Sequence, residues 1–468
     1  MDPEKRARRQ SLRVIVSEIV MVVAVIMMVI ILALIVSGYW LGSDFKVKRQ
    51  GMLQISSIPT GASVEVDGDA PWFQRTNTSK ILSSGEHAVA LTKENYDSWS
   101  KTINITEGLL YKLNYPRLFL KERTKETVLD VASATFATVS PNRKLLLLVN
   151  NTTDWALVNL DNDNVKPTDF ITTHLFSTDT ALDDNGTAIA HDTTELFNGE
   201  ILSANWDEAN EHILMELSIN QSHEWVLLNI KNPTRSINLT REFAQSFEKV
   251  TIFNHSASIL LALSGGSLHK IDLDSMQISS ILASNVDSYD IYDSDIVFST
   301  NNQIGIIKNF NSEPEYVKAT QVPAKVLFGK FYDNRYIFVI EENRIAIYKK
   351  DDEAAVFEAT INFTPDDIKV GPGAEFLFMS KGNNFATLDM ESMKLSEWSI
   401  DANHFGWLDG HMLFIVKDGI LSVCDYDGLN YRTLTSNVSE RFPVTITNDK
   451  WLYYFSDGHL VREWLIAK

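Results

Sequence analysis

The first feature of the chain is an unbroken apolar stretch, the eighteen residues from Ile19 to Val36. As an α-helix rising ~1.5 Å per residue it would be roughly 27 Å long, close to the ~30 Å hydrocarbon core of a bilayer. Five basic residues precede it within residues 1–17, and Tyr39 and Trp40 follow it. This pattern predicts a transmembrane helix over 19–41, with a cytoplasmic basic tail at 1–18 and the rest of the chain outside. A cleaved signal peptide is the alternative, although its apolar region is normally only ~7–15 residues long and ends in small residues.

After a short polar connector at 42–50, apolar and polar residues alternate in short runs from Gly51 to about Leu118. Alternation with a period of two predicts half-buried β-strands. Turn residues separate the runs, and Asp67-Gly68 is a typical two-residue hairpin signal. The pattern predicts a small all-β domain over 51–118.

From residue 122 to residue 468 the chain repeats one pattern: an apolar run, a tight polar turn and a second apolar run. Each repeat is typical of a β-hairpin. The first strands begin at residues 145, 213, 259, 296, 336, 376, 412 and 451. The first interval is therefore 68 residues, and the later ones are 36 to 46 residues.

A period near ~40 residues with several strands per unit is typical of a β-propeller, in which each blade is a four-stranded sheet. Eight hairpins predict about eight blades, with seven as the alternative. The long first interval places an insertion at about Thr172 to Phe197. Loops on a rigid scaffold often carry function, so this insertion is either a functional loop or a surface excursion without a partner.

The last hairpin makes a further prediction about how the propeller closes. It has one strand before it, at Phe442–Ile446, and the chain ends two residues after Ile466, which leaves this blade one strand short. We expect the missing strand to come from Lys125–Leu129, paired beside Leu460–Ile466, because an unpaired edge would leave backbone groups unsatisfied.

Two parts of the chain resemble known families. The runs SSIPTGASVEVDG at 56–68 and ILSSGEHAVALTKENY at 81–96, followed by Trp99 and TINITEG, are similar to the PEGA domain, a small β-sandwich of bacterial surface and envelope proteins. The family's usual glycine before the tyrosine is replaced by Asn95, which tolerates a positive φ. The resemblance implies an accessory module facing the envelope, without an active site.

The repeats resemble WD40-like or TolB-like propellers in architecture. The residues that carry this resemblance are Asn205-Trp206-Asp207 and Gly406-Trp407-Leu408-Asp409, each just before the first strand of a hairpin. The fold class is therefore expected to be all-β, with an N-terminal transmembrane helix, a PEGA-like sandwich and then a propeller.

Charge and cysteine content narrow the environment. The formal net charge is −19, and residues 1–17 contribute +3, so the remaining chain carries −22. So acidic a surface repels phosphate backbones and argues against nucleic-acid binding. The single cysteine, Cys424, excludes an intramolecular disulfide, which favours a bacterial envelope protein over a small extracellular animal module.

A search for catalytic and metal motifs finds no convincing site. There is no His-Glu-x-x-His, no P-loop and no Gly-x-Ser-x-Gly. Ser98 to Lys101 matches Ser-x-x-Lys, but the companion elements of a penicillin-binding serine site are absent. Two oxygen-rich clusters have calcium-like spacing but are better explained as turns: Asp161 with Asp163, and Asp425, Asp427 and Asn430.

The aromatic residues allow two interpretations. They could stack on sugars, but regular aromatic positions in blades are usually core between blades. The residues concerned are Trp72, Phe73, Trp155, Trp206, Trp225, Trp398 and Trp407. The sequence names no catalytic, cofactor-binding or metal-binding residue and implies no cofactor.

Together these features favour a non-enzymatic, single-pass protein of the bacterial cell membrane, displaying its domains extracytoplasmically. Such a protein would bind or scaffold a cell-wall glycan, a surface polymer or another envelope protein. A propeller hydrolase or lyase with its site at the central channel is one alternative. An envelope sensor acting through a membrane partner is another.

Overall fold

The structure is a computed structural model that describes residues 18–33, 39–41, 47–71, 74–150, 154–176, 199–219, 222–253, 257–309, 313–320, 322–371 and 375–466. The chain divides into two compact units. The first holds the described residues up to Glu122 together with Ile466, and the second runs from Arg123 to Leu465.

The N-terminal part differs from the expected helix over 19–41. Helix α1 covers residues 18–33, and the chain then forms strand β1 (Tyr39–Leu41), which pairs with residues 47–49. Residues 34–38 and the tail at 1–17 lie outside the described residues. Across the described part of the chain, no helix combines the length and apolar character needed to cross a membrane. The prediction of helix is therefore wrong for Tyr39 to Leu41, because their backbone groups are satisfied by a neighbouring strand instead.

The first unit is all-β, as the alternation predicts, and it forms a two-layered β-sandwich, as the resemblance to the PEGA domain implies. Besides β1, its strands are β2 (Val47–Ile55), β3 (Ser63–Val66), β4 (Thr78–Ser83), β5 (Gly85–Thr92), β6 (Trp99–Ile105) and β7 (Leu110–Leu113). One sheet has the order β1-β2-β4, with β7 also paired to β2, and the other has the order β3-β5-β6. Strand β2 starts at Val47, so the end of the expected connector at 42–50 belongs to the sheet.

Alternate residues of both sheets meet in one core. Leu53 and Ile55 of β2 pack with Val64 of β3, Leu91 of β5 and Trp99 of β6, all almost completely buried. Burying these apolar side chains between the sheets stabilises the unit, because transfer of each side chain out of water contributes about 1.5–3 kcal/mol.

The described residues of the second unit form eight successive antiparallel sheets, which we call blades 1 to 8. Blade 1 is β9 (Ala134–Val139), β10 (Leu145–Asn150), β11 (Asp154–Asn159) and β12 (Pro167–Ile171). Blade 2 is β13 (Gly199–Trp206), β14 (His212–Ile219), β15 (Ser222–Asn229) and β16 (Ile237–Asn238). Blade 3 is β17 (Lys249–Ile252), β18 (Ile259–Ser264), β19 (Ser267–Asp272) and β20 (Gln277–Ile278), with β21 (Ala283–Ser284) also paired to β19. Blade 4 is β22 (Ser288–Tyr292), β23 (Asp295–Thr300), β24 (Gln303–Ile307) and β25 (Glu315–Ala319).

The other four blades follow the same plan. Blade 5 is β26 (Lys325–Phe331), β27 (Asn334–Glu341), β28 (Arg344–Lys349) and β29 (Ala355–Thr360). Blade 6 is β30 (Asp367–Val370), β31 (Phe376–Lys381), β32 (Asn384–Asp389) and β33 (Lys394–Ser399). Blade 7 is β34 (His404–Trp407), β35 (Met412–Lys417), β36 (Ile420–Asp425) and β37 (Arg432–Ser436). Blade 8 is β38 (Thr445–Thr447), β39 (Trp451–Ser456), β40 (His459–Trp464) and, out of sequence, β8 (Lys125–Asp130). Short helical turns lie between strands, at α2 (Thr173–Phe176), η1 (Pro233–Arg235) and α3 (Leu239–Glu242).

All eight predicted hairpins are confirmed, each as the second and third strands of a blade. The predicted closure is confirmed as well, since β8 pairs with β40 from Glu463↔Lys125 to His459↔Asp130. One boundary differs: the strand expected at Phe442–Ile446 begins only at Thr445. The insertion expected around Thr172 to Phe197 falls largely on residues 177–198, outside the described residues.

The blades form a closed ring, a β-propeller. Neighbouring blades are held together by shared apolar clusters. Leu147 of blade 1, for example, belongs to the same cluster as Met215 of blade 2. Similar clusters join each of the following blades to the next, from blade 2 to blade 7. Between blades 7 and 8, Lys125 Nζ donates to Thr435 Oγ1. Blade 8 then packs on blade 1, with Tyr453 in the same cluster as Leu148. A four-stranded sheet cannot bury both faces alone, and here each is covered by its neighbours.

Candidate functional site

The first strand of each blade lies at the centre of the ring, where consecutive blades are joined by side chains of these strands. Trp206 Nε1 of β13 donates to Thr138 Oγ1 of β9 at 3.1 Å. Lys249 Nζ of β17 donates to the Tyr289 carbonyl of β22 at 2.9 Å. The Phe328 N–H of β26 donates to Asp290 Oδ2 at 2.8 Å. We call this centre the hub.

A cavity of about 550 Å³ opens at the hub among blades 2, 3 and 4. This volume falls within the ~300–1,000 Å³ typical of small-molecule sites. Its wall contains the aromatic rings of Trp206, Trp225 and Tyr292, and polar side chains from the first strands of all three blades. The polar and charged members are Ser203, Asn205, Asp207, Glu208, Glu216, Lys249, Thr251, Asp290 and Asp293. We call it the hub cavity.

Lys249 is the single cation among the described residues that line the hub cavity. It begins β17, and its neighbour Val250 is buried in the core, so strand alternation turns Lys249 away from the core. Its ammonium lies 4.5 Å from the centre of the Tyr289 ring. Lys249 keeps an exposed surface, but desolvation of its ammonium by the surrounding cavity wall lowers its pKa, and the nearby Asp290 charge acts in the opposite direction.

Asp290 is the matching anion, on the neighbouring strand β22. Burial raises the pKa of this carboxyl group, and the hydrogen bond from Phe328 and the charge of Lys249 only partly offset that effect. Shifted pKa values of this kind concentrate at functional sites, because enclosed clefts destabilise charges that a ligand can then compensate. The hub cavity is therefore the candidate site of the described chain.

The residues that the sequence suggested for metal binding have structural roles. Asp425 is buried in blade 7, where its Oδ2 accepts from Asn430 Nδ2 at 2.8 Å across a turn. Asp161 accepts from Lys144 Nζ at 2.7 Å, and the Asp163 carbonyl accepts from Arg462 at 3.0 Å. Within the described ranges, no three His, Cys, Asp or Glu side chains are placed to hold a metal ion together.

The Ser-x-x-Lys match is also part of the fold. Ser98 is exposed just before β6, whereas Lys101 is buried within that strand and donates to Tyr115 Oη at 2.9 Å. The two side chains belong to the surface and the core of the sandwich, so they do not form a nucleophile and base.

The aromatic residues are mainly core, as the second interpretation proposed. Trp155 is buried between blades 1 and 2, and Trp398 and Trp407 pack in the cluster between blades 6 and 7. Trp206 and Trp225 differ because they also line the hub cavity. Trp72 and Phe73 lie outside the described residues.

The aspartates of the two WD40-like segments have equivalent roles. Asp207 Oδ1 accepts the N–H groups of Glu211 and His212 at 2.7 and 3.0 Å. Asp409 Oδ1 accepts those of His411 and Met412, both at 2.8 Å. Each aspartate thus fixes the turn from the first to the second strand of its blade.

Comparison with known proteins gives one family and a set of distant structures. Residues 50–117 match the family described as the PEGA domain. No curated protein matches the chain. This protein is similar in structure to the β-propeller domain of Cps50 (Swd1) from Myceliophteria thermophila, with 9% identity and a TM-score of 0.42 over 74% of this chain and 100% of that chain.

Two further solved structures have similarly low sequence identity. Kluyveromyces lactis Hsv2 is 10% identical, with a TM-score of 0.41 over 67% of this chain and 99% of its own. A chain of the Mitotic Checkpoint Complex is 9% identical, with a TM-score of 0.33 over 75% of this chain and 93% of that chain. At these scores the propeller assignment rests on the sheets and contacts of the present chain.

Proposed function

We propose that this protein is a membrane-anchored, extracytoplasmic binding or scaffolding protein of the bacterial cell envelope. Its partner would be a cell-wall glycan, a surface polymer or another envelope protein. The observation that carries the proposal is a PEGA-family module at 50–117 followed in the same chain by an eight-bladed ring with a cavity at its hub. Rigid rings of this kind present loops and a central cavity for binding.

The anchor is supported by the character of α1. Its large apolar side chains from Ile19 to Leu32 are each 49–64% exposed, so the described protein does not cover them. A helix that is apolar all round needs an apolar environment, and the basic residues before it favour a cytoplasmic N-terminus. The whole apolar stretch 19–36 would provide the membrane segment.

Co-sedimentation tests the binding function. A soluble chain of residues 43–468 is expected to pellet with purified bacterial wall material or surface polysaccharide, and to stay in solution without it. Because residues 43–468 carry −21, binding to an anionic polymer should weaken at low salt, where repulsion is least screened. A chain that binds no envelope fraction, or that binds DNA more tightly at low salt, would refute the proposal.

A second function, a propeller hydrolase or lyase, is favoured by the shifted pKa values of Lys249 and Asp290 in the hub cavity. An acid and a base in one cavity can move protons during a reaction. The same wall material, incubated with the soluble chain, distinguishes the two: released fragments would support the enzyme, and unchanged material with retained binding would support the binding protein.

A further inference from the structure

The hub cavity holds two opposite charges that form no direct ion pair with each other. Lys249 and Asp290 both line it, yet no carboxylate oxygen of the described residues lies within 4.0 Å of Lys249 Nζ. The bonded neighbour of Lys249 Nζ is a neutral backbone carbonyl, that of Tyr289. The bonded neighbour of Asp290 Oδ2 is likewise a neutral group, the N–H of Phe328.

Other acidic residues of the wall already have cationic or polar partners. Asp207 Oδ2 lies 2.9 Å from His212 Nδ1, and Glu216 Oε1 lies 3.2 Å from His223 Nδ1. Asp293 forms an ion pair with Arg335. Each of these three acids lies within 4.0 Å of a basic side chain. Lys249 and Asp290, in contrast, form no ion pair among the described residues.

From this arrangement we propose that the hub cavity binds a small zwitterionic ligand, whose carboxylate bonds to the Lys249 ammonium and whose ammonium group bonds to the Asp290 carboxylate. The inference rests on the proposed function, since it names the ligand class of the same binding site. A ligand with only one charge would leave the opposite charge of the cavity without a partner. Charge-assisted hydrogen bonds at both ends would compensate both residues at once.

The ligand's size follows from the cavity. A volume of about 550 Å³ accommodates an amino-acid-sized molecule with its hydration, and the aromatic wall can cover the carbon chain between the two charges. Lys249 and Asp290 form no direct ion pair, so a ligand that carries both charges can lie between them. The class is therefore a small amino acid, with the ω-amino acids as its longer members.

A simpler role for Lys249 is to join blade 3 to blade 4, and the chain provides a matched control for it. Lys325 likewise begins the first strand of its blade, and its Nζ donates to carbonyls of the next blade, Pro365 at 3.3 Å and Asp366 at 3.0 Å. Lys325 does not line the hub cavity. Replacing Lys325 by Met tests the joining role, whereas replacing Lys249 by Met tests joining and binding together.

Isothermal titration calorimetry on the full chain tests the proposal. The zwitterions are glycine, 4-aminobutyrate and 6-aminohexanoate, and the single-charge controls are butyrate, hexanoate, butylamine and hexylamine. At least one longer zwitterion is expected to bind about tenfold or more tightly than the acid or amine with the same carbon chain. In the Lys249→Met variant the zwitterion should bind no more tightly than the matched amine, and in Asp290→Asn no more tightly than the matched acid. In Lys325→Met both differences in affinity should be unchanged.

Three results would overturn the ligand class: no zwitterion binds, the single-charge controls bind equally well, or Lys249→Met binds like the unmodified protein. Melting temperatures of the variants show whether loss of binding is loss of folding, and Lys249→Arg, which retains the charge, should restore part of the zwitterion preference. The proposed envelope function is judged separately. Wall co-sedimentation without zwitterion binding would support that function and reject this ligand class. Zwitterion binding without wall co-sedimentation would support the ligand class and reject the envelope function.

Discussion

At the residue scale, single positions in the sandwich show how local chemistry fixes the fold. Asn95 has a φ of 64°, so the asparagine that replaces the usual glycine adopts the left-handed conformation that the turn requires. Asp67 and Gly68 have φ of 55° and 81°, as a two-residue hairpin turn with two positive φ values demands. Asp67 also contacts His87, with 2.6 Å between Oδ2 and Nδ1, and this pair makes stability depend on pH.

The direction of that dependence follows from the two pKa values. Burial disfavours the charged form of His87, but hydrogen bonds to Asp67 and the Ser83 carbonyl outweigh it and raise the pKa above 6.5. Hydrogen bonds from His87 and the Ala88 N–H lower the pKa of Asp67 below 3.8. The stabilisation is therefore present between about pH 4 and pH 6.5 and is lost as pH rises through the folded pKa of His87.

We predict that strand β5 is better protected from hydrogen exchange at pH 6 than at pH 8, after correction for intrinsic exchange rates. The expected difference is roughly two- to fivefold, the size of an ion pair in a partly exposed site. His87→Gln should remove the difference. Equal protection of the unmodified protein at both pH values would contradict the assignment.

At the element scale, β8 closes the ring between parts of the chain that are more than 300 residues apart. It completes blade 8 beside β40, and the adjacent Arg123 donates through Nε to Glu463 Oε2 at 2.7 Å. Glu463 is completely buried and also accepts from Tyr454 Oη at 2.7 Å. Without Arg123 and β8, a buried carboxylate would lose its nearest cation and β40 would become an open edge.

Removing this strand is therefore expected to weaken the whole propeller. A chain beginning at Asp130 should be less stable than one beginning at Lys121 by at least about 3 kcal/mol, because breaking a buried ion pair alone costs about 3–5 kcal/mol. Chemical denaturation followed by tryptophan fluorescence measures the difference. Deletion of residues 51–116 is the control and should leave the propeller transition nearly unchanged; identical stability of the two shortened chains would disprove the closing role of β8.

At the scale of the whole molecule, the proposed topology separates a basic N-terminal tail from a strongly acidic remainder. Residues 1–17 carry +3 and the rest carries −22. Basic residues on one side of an apolar segment are retained in the cytoplasm, so the sandwich and propeller would be displayed outside.

Reporter fusions in a bacterial host test this topology. A reporter that is active only outside the cytoplasm is expected to work after Lys468 and to fail before Met1. The reverse pattern would refute the proposed orientation. Mature protein that starts near Ser37 in a mass spectrum would instead identify the apolar stretch as a cleaved signal peptide.

The sequence by itself determined the local elements of this protein. Period-two alternation and tight polar turns such as Asp-Gly are short-range signals, and they correctly located the sandwich strands and all eight hairpins; the strand expected from residue 412, for example, is β35. Blade number and ring closure also followed, because the ~40-residue period and the shortened last repeat are properties of the sequence. The prediction that the helix continues through Tyr39 to Leu41 is wrong, because these residues pair with residues 47–49. A hydropathy pattern does not show which strand a segment pairs with.

Only the tertiary structure decided where the candidate site lies. Glu216, Lys249 and Asp290 come from three different blades, and their separation along the chain matches no known site motif. Each looked like an ordinary polar residue of a strand. The one signal in the sequence was their place in or beside the first strand of a blade, which becomes informative only when the ring brings those strands together at the hub. A cavity formed by convergence of distant strands depends on the geometry of closure, and spacing along a single chain does not encode it.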